Sequence, residues 1–409
     1  MSSPMTRTPK QGDGPRAEEA AGAILTVDLD AVAANYAMLV REAAGAEVAA
    51  VVKADAYGLG LHPVARRLKA EGCGSFFVAD ANEGAELRKV LPGAVIYVLN
   101  GLFPGTAALY GRHGLRPVIA SFAELAEWRG AGLDVTGGLP AALHFDTGMN
   151  RLGLGAGDAA RIAQEEGLTA GVEVALVMSH LACSDDRDHP QNARQLARFR
   201  EIRARLAPCF PGARASLANS GGIYLGPDYR FDMVRPGVSL YGGSPFTGRA
   251  NPFRPVIRAE ARVIALRELM PGETVGYGAT WAAAAPARIA VLAAGYADGY
   301  FRALSSGMRE GESGGMVHIG GHACPIAGRV SMDMAMADVS HLPMGAVKRG
   351  DMAELIGPHI SVDEVGLRAG TLGYEILTAL GRRYMRRYIP APETGSDTNN
   401  DSWEGRGQA

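Results

Sequence analysis

Short apolar runs alternate with amphipathic stretches from Ile24 to about Tyr241, and this alternation constrains the fold more than any other feature. The runs fall at 24–29, 48–52, 75–79, 95–99, 117–120, 142–145, 172–178 and 215–217. Between them lie stretches such as 191–206, where Leu196, Phe199, Ile202 and Leu206 recur at helical spacing on one side. Strands alternating with helices at this density run parallel, joined by helical crossovers. About eight such units in roughly 220 residues suit a closed (β/α)8, TIM-like barrel. An open doubly wound sheet shares the pattern and stays open on pattern alone.

After Pro252 the texture changes. Segments at 259–266, 288–293, 316–319 and 352–355 are separated by Pro-Gly, Gly-Gly and Lys-Arg-Gly-Asp turn signals. Short strands with this turn chemistry predict a mostly β second domain. Helices are expected at 362–369 and around 374–384. The expected plan is therefore α/β, with an N-terminal barrel over 24–252 and a C-terminal mostly-β domain over 253–389. Residues 1–23 hold Lys10, Asp13, Arg16, Glu18 and Glu19 but no hydrophobic stretch. A secretory signal needs one, so a disordered leader is expected there, and residues 390–409 read as a disordered tail.

Composition narrows the function classes. Lysine plus arginine (41) nearly balances aspartate plus glutamate (43), leaving a formal charge of −2. That gives no electrostatic footprint for nucleic acid or an anionic membrane. No apolar run reaches the ~18 residues that span a bilayer. Glycine, 54 of 409 residues without a Gly-X-Y period, implies many tight turns. Cys73, Cys183, Cys209 and Cys324 are too sparse for a disulfide framework and read as buried, reduced thiols of a cytoplasmic protein.

The chemistry concentrates at expected strand ends. In VVKADAYGLG (51–60), Lys53 closes an apolar run, where its ammonium must be desolvated or paired. Strand C-termini face the active site of a barrel. A lysine there can lose its proton and form a Schiff base with an aldehyde such as pyridoxal phosphate (PLP). Alone it reads more readily as a lysine that simply snorkels at a strand end, and the neighbouring motifs reverse that. Tyr57 and Gly58 add a phenol and a flexible turn beside it. Ala218, Asn219, Ser220, Gly221 and Gly222 close another run with a hydroxyl and two glycines whose amides suit an anion. Arg235 and Gly237 follow at the next strand end, and His180 ends the run at 172–178. A lysine, an anion cup, a histidine and an arginine at successive strand ends make a cofactor site. No metal is expected: Asp185, Asp186, Asp188 and His189 crowd into one loop and read as a surface loop with a helix cap. Arg382, Arg383, Arg386 and Arg387 read as a solvated face or a domain contact.

With VVKADAYGLG, the motifs HFDTGMNRLG, MSHLACSDD, NSGGIYL, DMVRPGVSLYG, VGYGATW, AAGYADGY, GRVSMD and LGYEIL follow in order along the chain. In their number and order they resemble the alanine racemases of the PLP-barrel class, from about Ile24 to Tyr388. The resemblance implies PLP as cofactor, L-alanine and D-alanine as substrates, and a homodimer whose partner chain completes each site. It implies that Lys53 binds PLP and moves a proton on one face of the substrate carbon, and that Tyr277 moves one on the other face. Tyr57, Ser220, Gly237, Val238 and Tyr374 match phosphate-holding positions, with Asn219 in the same cup. Arg235 matches the arginine at the pyridine nitrogen, and His180 the histidine that supports it. Arg151 and Met332 match positions that bind the substrate carboxylate. Tyr296, Arg302, Arg329 and Asp333 fall where the family lines its access channel.

This set is chemically coherent. Racemisation needs a carbon acid between two bases, one protonated and one not. A tyrosine of pKa about 10 is a poor base unless cations such as Arg151, or the His180–Arg235 pair, favour its phenolate. An arginine at the pyridine nitrogen keeps it unprotonated and so disfavours transamination. One departure stands out. Many relatives hold the carboxylate-binding arginine with a carbamylated lysine, and His144 occupies that position here. Arg151 then needs another anchor, such as chloride or a neighbouring carboxylate. A racemase of broader specificity or a serine racemase shares the same bases. A PLP-barrel decarboxylase profits instead from a carboxylate at the pyridine nitrogen, and a non-catalytic PLP barrel lacks the second domain.

Overall fold

The computed structural model describes residues 17–131, 138–165, 167–306 and 314–390. Seven parallel strands curl into one sheet in chain order: Ala50–Val51, Ser75–Val78, Val95–Val98, Leu115–Ile119, Leu139–His144, Val172–Met178 and Arg214–Ser216. An eighth, Met233–Val234, closes the ring. It pairs in parallel with Glu47–Val48, just ahead of the first barrel strand, and meets the last through the bridge Asn219↔Arg235. Backbone bonds complete the seam: the Ala49 and Val51 amides donate to Val234 and Pro236, and those of Asp232 and Arg235 to Ala215 and Ala218. All four residues of Ser75–Val78 are buried, as parallel strands under helices must be. Such strands read as unbroken apolar runs.

The crossover helices start where the sequence offers a cap. Asp80 accepts from the Asn82 and Glu83 amides at the head of Ala81–Val90, and Ser121 from Glu124 at the head of Phe122–Arg129. In Pro190–Leu206 the expected stripe of Leu196, Phe199, Ile202 and Leu206 is buried, together with the polar Asn192 and Gln195. The acidic loop before it is a capping loop. The His189 side chain accepts from Gln191, and the Asp186 side chain from the Asp188 amide.

One expected barrel strand lies elsewhere. The run at 24–29 forms Ala23–Asp28 in the second domain, antiparallel to Ile257–Leu269 and parallel to Met385–Ile389. An apolar run signals burial and does not say which sheet buries it. The sheet runs His322–Pro325, Met316–Ile319, Met352–Ile356, Ile257–Leu269, Ala23–Asp28, Met385–Ile389, with Ala287–Leu292 and Ala335–Asp338 joined through the long strand Ile257–Leu269. Helix Val362–Arg368 lies where expected. The helix expected at 374–384 is Gly373–Ala379 and stops short, because Leu380 is extended and the Gly381 amide donates to Asp298. Within the arginine run, Arg386 reaches the barrel and donates to the Gly58 carbonyl, whereas Arg387 donates to the Thr26 hydroxyl inside the second domain.

The expected disordered leader is ordered at its end. Helix Ala17–Ala20 lies there, and Arg262 donates to the carbonyls of Glu18 and Ala21. The expectations for residues 1–16 and 391–409 fall outside the described residues. All four cysteines are free; Cys73 and Cys324 are buried, whereas Cys183 is half-buried and Cys209 exposed in the turn after Pro190–Leu206. One apolar cluster runs through both domains, and Val275, Ile289, Ala327 and Met336 form a small separate one.

Candidate active site

A cavity of about 650 Å³ brings Lys53, Tyr57, Arg151, His180, Asn219, Ser220, Arg235, Gly237, Val238 and Tyr374 together at the C-terminal ends of the barrel strands. Lys53 sits two residues beyond Ala50–Val51. Burial pushes its ammonium below the ordinary lysine range, the nearby Arg151 cation adds to this, and Glu83 opposes it. A lysine so placed deprotonates more readily and becomes a better nucleophile.

Arg235 is 3% exposed. Its guanidinium donates to the Ser216 hydroxyl and to the Ser179 carbonyl at 2.6 Å, and it lies 3.5 Å from His180 Nδ1. No carboxylate pairs with it among the described residues, and burial lowers its pKa to about 9. Burial, then Arg235, hold the His180 imidazole well below its usual range, so it is neutral beside the arginine. Gln195 braces this wall: its amide donates to the His180 carbonyl at 2.9 Å and to Thr147 Oγ1 at 3.1 Å. Thr147 in turn shares a 2.7 Å bond with the Ser179 hydroxyl. Periodicity of apolar residues does not reveal Gln195, because it sits in the buried stripe of an otherwise amphipathic helix.

The anion cup is close-fitting. Ser220 Oγ accepts from the Gly237 amide at 3.0 Å, and Asn219 Oδ1 from the Ser184 hydroxyl at 2.7 Å and the Gly222 amide at 3.0 Å. A Cβ on Gly237 would collide with the Tyr57 hydroxyl, so glycine is required for the phenol to reach this backbone. Tyr57 stacks on Tyr241 with ring centroids 4.6 Å apart. Burial pushes the Tyr374 phenol up to about 12, leaving it a neutral hydrogen-bond donor. Apart from Glu375, the charged side chains lining the cavity are cationic. A buried cation without a counter-ion, a reactive lysine and a glycine-walled cup fit a phosphorylated aromatic aldehyde such as PLP.

Arg151 arrives on a loop folded around Asp146, whose carboxylate accepts the Gly148, Met149 and Asn150 amides at 2.8, 2.9 and 3.0 Å. Burial pushes that carboxyl up, yet the three amides bring it below its ordinary value. Arg151 itself is exposed at the cavity and has no hydrogen-bond or ion-pair partner among the described residues. The neighbouring carboxylate expected as its anchor is therefore not there. His144 closes Leu139–His144, is 8% exposed, and lines the same cavity. Burial, then Arg235 and Arg151, bring its pKa to about 4.

The other expected residues lie outside this cavity. Tyr277 begins the turn Tyr277–Ala279, between the paired strands Thr274–Val275 and Trp281–Ala282, and is 73% exposed. A Cβ on Gly278 would meet Arg329 Nη1 at 2.8 Å, so that guanidinium lies against the backbone beside Tyr277. The Tyr296 amide donates to Ser331, and that of Ala297 to Met332, both at 3.0 Å. Asp333 pairs with Arg383 at 2.6 Å. Tyr296, Arg302 and Met332 are exposed. One chain thus holds the lysine in its cavity and the tyrosine on an open face.

The chain matches "Alanine racemase, N-terminal domain" over residues 27–245 and "Alanine racemase, C-terminal domain" over 256–388. It is 50% identical to an alanine racemase of Methylobacterium nodulans over 368 residues, covering 90% of this chain and 96% of that one. A biosynthetic alanine racemase of Agrobacterium fabrum is 46% identical, covering 90% and 94%. The solved alanine racemase of Bartonella henselae with covalently bound pyridoxal phosphate superposes with a TM-score of 0.83 at 38% identity, covering 90% of this chain and all of that one. Two domain matches in tandem and close relatives along nearly their whole length agree: the chain belongs to the alanine racemase family.

Proposed function

We propose that this chain interconverts L-alanine and D-alanine with pyridoxal phosphate held on Lys53. The carrying observation is that Lys53, Arg151, His180, Arg235 and the cup of Asn219, Ser220 and Gly237 converge on one cavity. Tyr57, Ser220, Gly237, Val238 and Tyr374 hold the phosphate, and Arg235 faces the ring nitrogen with His180 behind it. Bound there, the cofactor withdraws electrons and makes the substrate's α-hydrogen acidic. Lys53 moves the proton at Cα on one face. Tyr277 moves it on the opposite face, so one face loses a proton as the other gains one. Arg151 and the Met332 amide orient the carboxylate. Arg235 stays a cation and disfavours a proton on the ring nitrogen, which limits charge delocalisation and so suppresses transamination.

The reading includes a homodimer. The exposure of Tyr277 and its absence from the cavity of its own chain support a site completed by the partner subunit's Tyr277, with Tyr296, Arg302, Arg329 and Asp333 along the access channel. The reading extends to a cytoplasmic enzyme supplying D-alanine for peptidoglycan, and four unpaired thiols suit that compartment. Borohydride reduction of the purified holoenzyme followed by peptide mapping tests the assignment. The pyridoxyl label is expected on Lys53, with chiral detection of D-alanine from L-alanine before reduction. A label on Lys69 or Lys89 instead would overturn the site.

A further inference from the structure

Lys53 is followed by four non-glycine residues in left-handed conformation: Ala54, Asp55, Ala56 and Tyr57, with φ between 53 and 56°. Each such residue is strained because its Cβ crowds a carbonyl oxygen. A run of four persists only where its surroundings over-determine it. The far end is tied down well. The Gly60 amide donates to the Asp55 carbonyl at 2.9 Å, the Leu61 amide to Asp55 Oδ1 at 2.7 Å, and Arg386 to the Gly58 carbonyl at 2.6 Å.

Among the described residues, one side chain hydrogen-bonds the near end, beside the lysine. Glu83 Oε1 accepts from the Ala54 amide at 2.6 Å and from the Asp55 amide at 3.4 Å. Its other oxygen accepts from the Ala79 amide at 2.8 Å. Ala79 follows Ser75–Val78, the strand beside Ala50–Val51, so one carboxylate spans two adjacent barrel strand ends. Glu83 is seated firmly, in the first turn of Ala81–Val90, with its own amide bonded to Asp80 at 3.1 Å. It does not line the cavity. We infer that Glu83 is a positioning residue for Lys53, its carboxylate fixing the left-handed turn that aims the amine into the site.

Two oxygens facing three N–H donors need a carboxylate. An amide would turn one oxygen into a donor opposed to a donor. The negative charge also favours the Lys53 ammonium, against burial. The inference rests on Lys53 being the reactive amine, and its first readout does not depend on that.

The experiment compares the full-length holoenzyme with Glu83→Gln, Glu83→Ala and, as a control one turn on, Glu86→Gln. Hydrogen exchange at the Ala54 and Asp55 amides is expected to accelerate at least about tenfold in Glu83→Ala. For alanine, kcat should fall about a hundredfold in Glu83→Ala and about tenfold in Glu83→Gln, with KM within about threefold, because misplacement harms the reacting geometry rather than binding. Glu86→Gln should match wild type in both readouts. If Glu83→Ala does not fold, Glu83→Gln decides. Unchanged exchange at Ala54 and Asp55, or kcat within about twofold of wild type, overturns the role. A wild-type enzyme that racemises no alanine would sink the proposed function, while the exchange result would still decide whether Glu83 holds the turn.

Discussion

The turn that carries Lys53 and the turn that carries Tyr277 are built on opposite plans. The first leaves a barrel strand, is gripped by Glu83, Arg386 and Asp55, and opens into the cavity. The second joins two strands of two residues each, near the four-residue cluster of Val275, Ile289, Ala327 and Met336. Both turns use left-handed backbone, through Ala54–Tyr57 in one and Gly276, Gly278 and Ala279 in the other. Side-chain hydrogen bonds hold the first, whereas the second rests on the Ala279 amide bonded to the Gly276 carbonyl and on Arg329 packed against Gly278. A two-stranded ribbon is marginal by itself in water. The lesson is one of self-sufficiency: the lysine half is ordered by its own chain, whereas the tyrosine half presents Tyr277, Tyr296 and Met332 on an open face that a covering surface would complete.

The largest expected effect would break this comparison outright. Lys53→Ala and Tyr277→Phe should each lose at least about a thousandfold in kcat, since each removes a proton-transfer group. Co-expressing the two variants should restore activity if the halves come from different chains. In a mixed dimer one site receives both lesions and the other neither. Random pairing makes about half the dimers mixed, each with one intact site of two, so recovery should approach roughly a quarter of wild type. No recovery, with dimers verified by sedimentation, would mean that both residues act within one chain.

A smaller effect tests whether the barrel half sets cofactor electronics without help. Arg235 touches Ser216, Ser179 and His180, all on barrel strands or just beyond them. Arg235→Glu should lower racemisation about a hundredfold, in the range of lost preorganised charges, and raise the share of turnovers that yield pyruvate. Product analysis by coupled lactate dehydrogenase assay reads that partition. An unchanged partition would assign control of the ring nitrogen to another residue.

The same contrast explains what could be read from the sequence. Lys53, Tyr57, His180, Ser220 and Arg235 were legible because each follows an apolar run, and a run's end maps directly onto the barrel's mouth. Ala23–Asp28 misled, because local periodicity encodes burial while strand partnership is tertiary: its neighbours Ile257–Leu269 and Met385–Ile389 lie at the other end of the chain. Glu83 was silent for a related reason. In ANEGAELRKV it resembles any glutamate of a helix's first turn, and only the curl of the sheet brings it to the amides after Lys53. Arg151 shows the converse. Its motif marked it as functional, yet no local rule revealed that no described residue hydrogen-bonds or ion-pairs with it.

The smallest expected effect concerns acid sensitivity and sharpens the comparison by locating it in the barrel. His144 is neutral because burial, then the Arg235 and Arg151 cations, bring its pKa from 6.5 to about 4. The unfolded chain therefore binds this proton between those values and the folded chain does not. Stability must fall as pH drops from about 6.5 towards 4, by an upper bound on the order of 3 kcal/mol, and the loss is complete below the folded value. His180 is depressed for the same reasons and adds a loss of the same sign. His144→Asn keeps a polar side chain but cannot titrate. Its melting temperature at pH 7 should lie a few degrees or less below wild type, and its further drop between pH 7 and pH 4.5 should be smaller than the wild-type drop. Thermal melts at both pH values check this. Equal drops in the two proteins would assign the acid sensitivity to a group other than His144, with His180 as the next place to substitute.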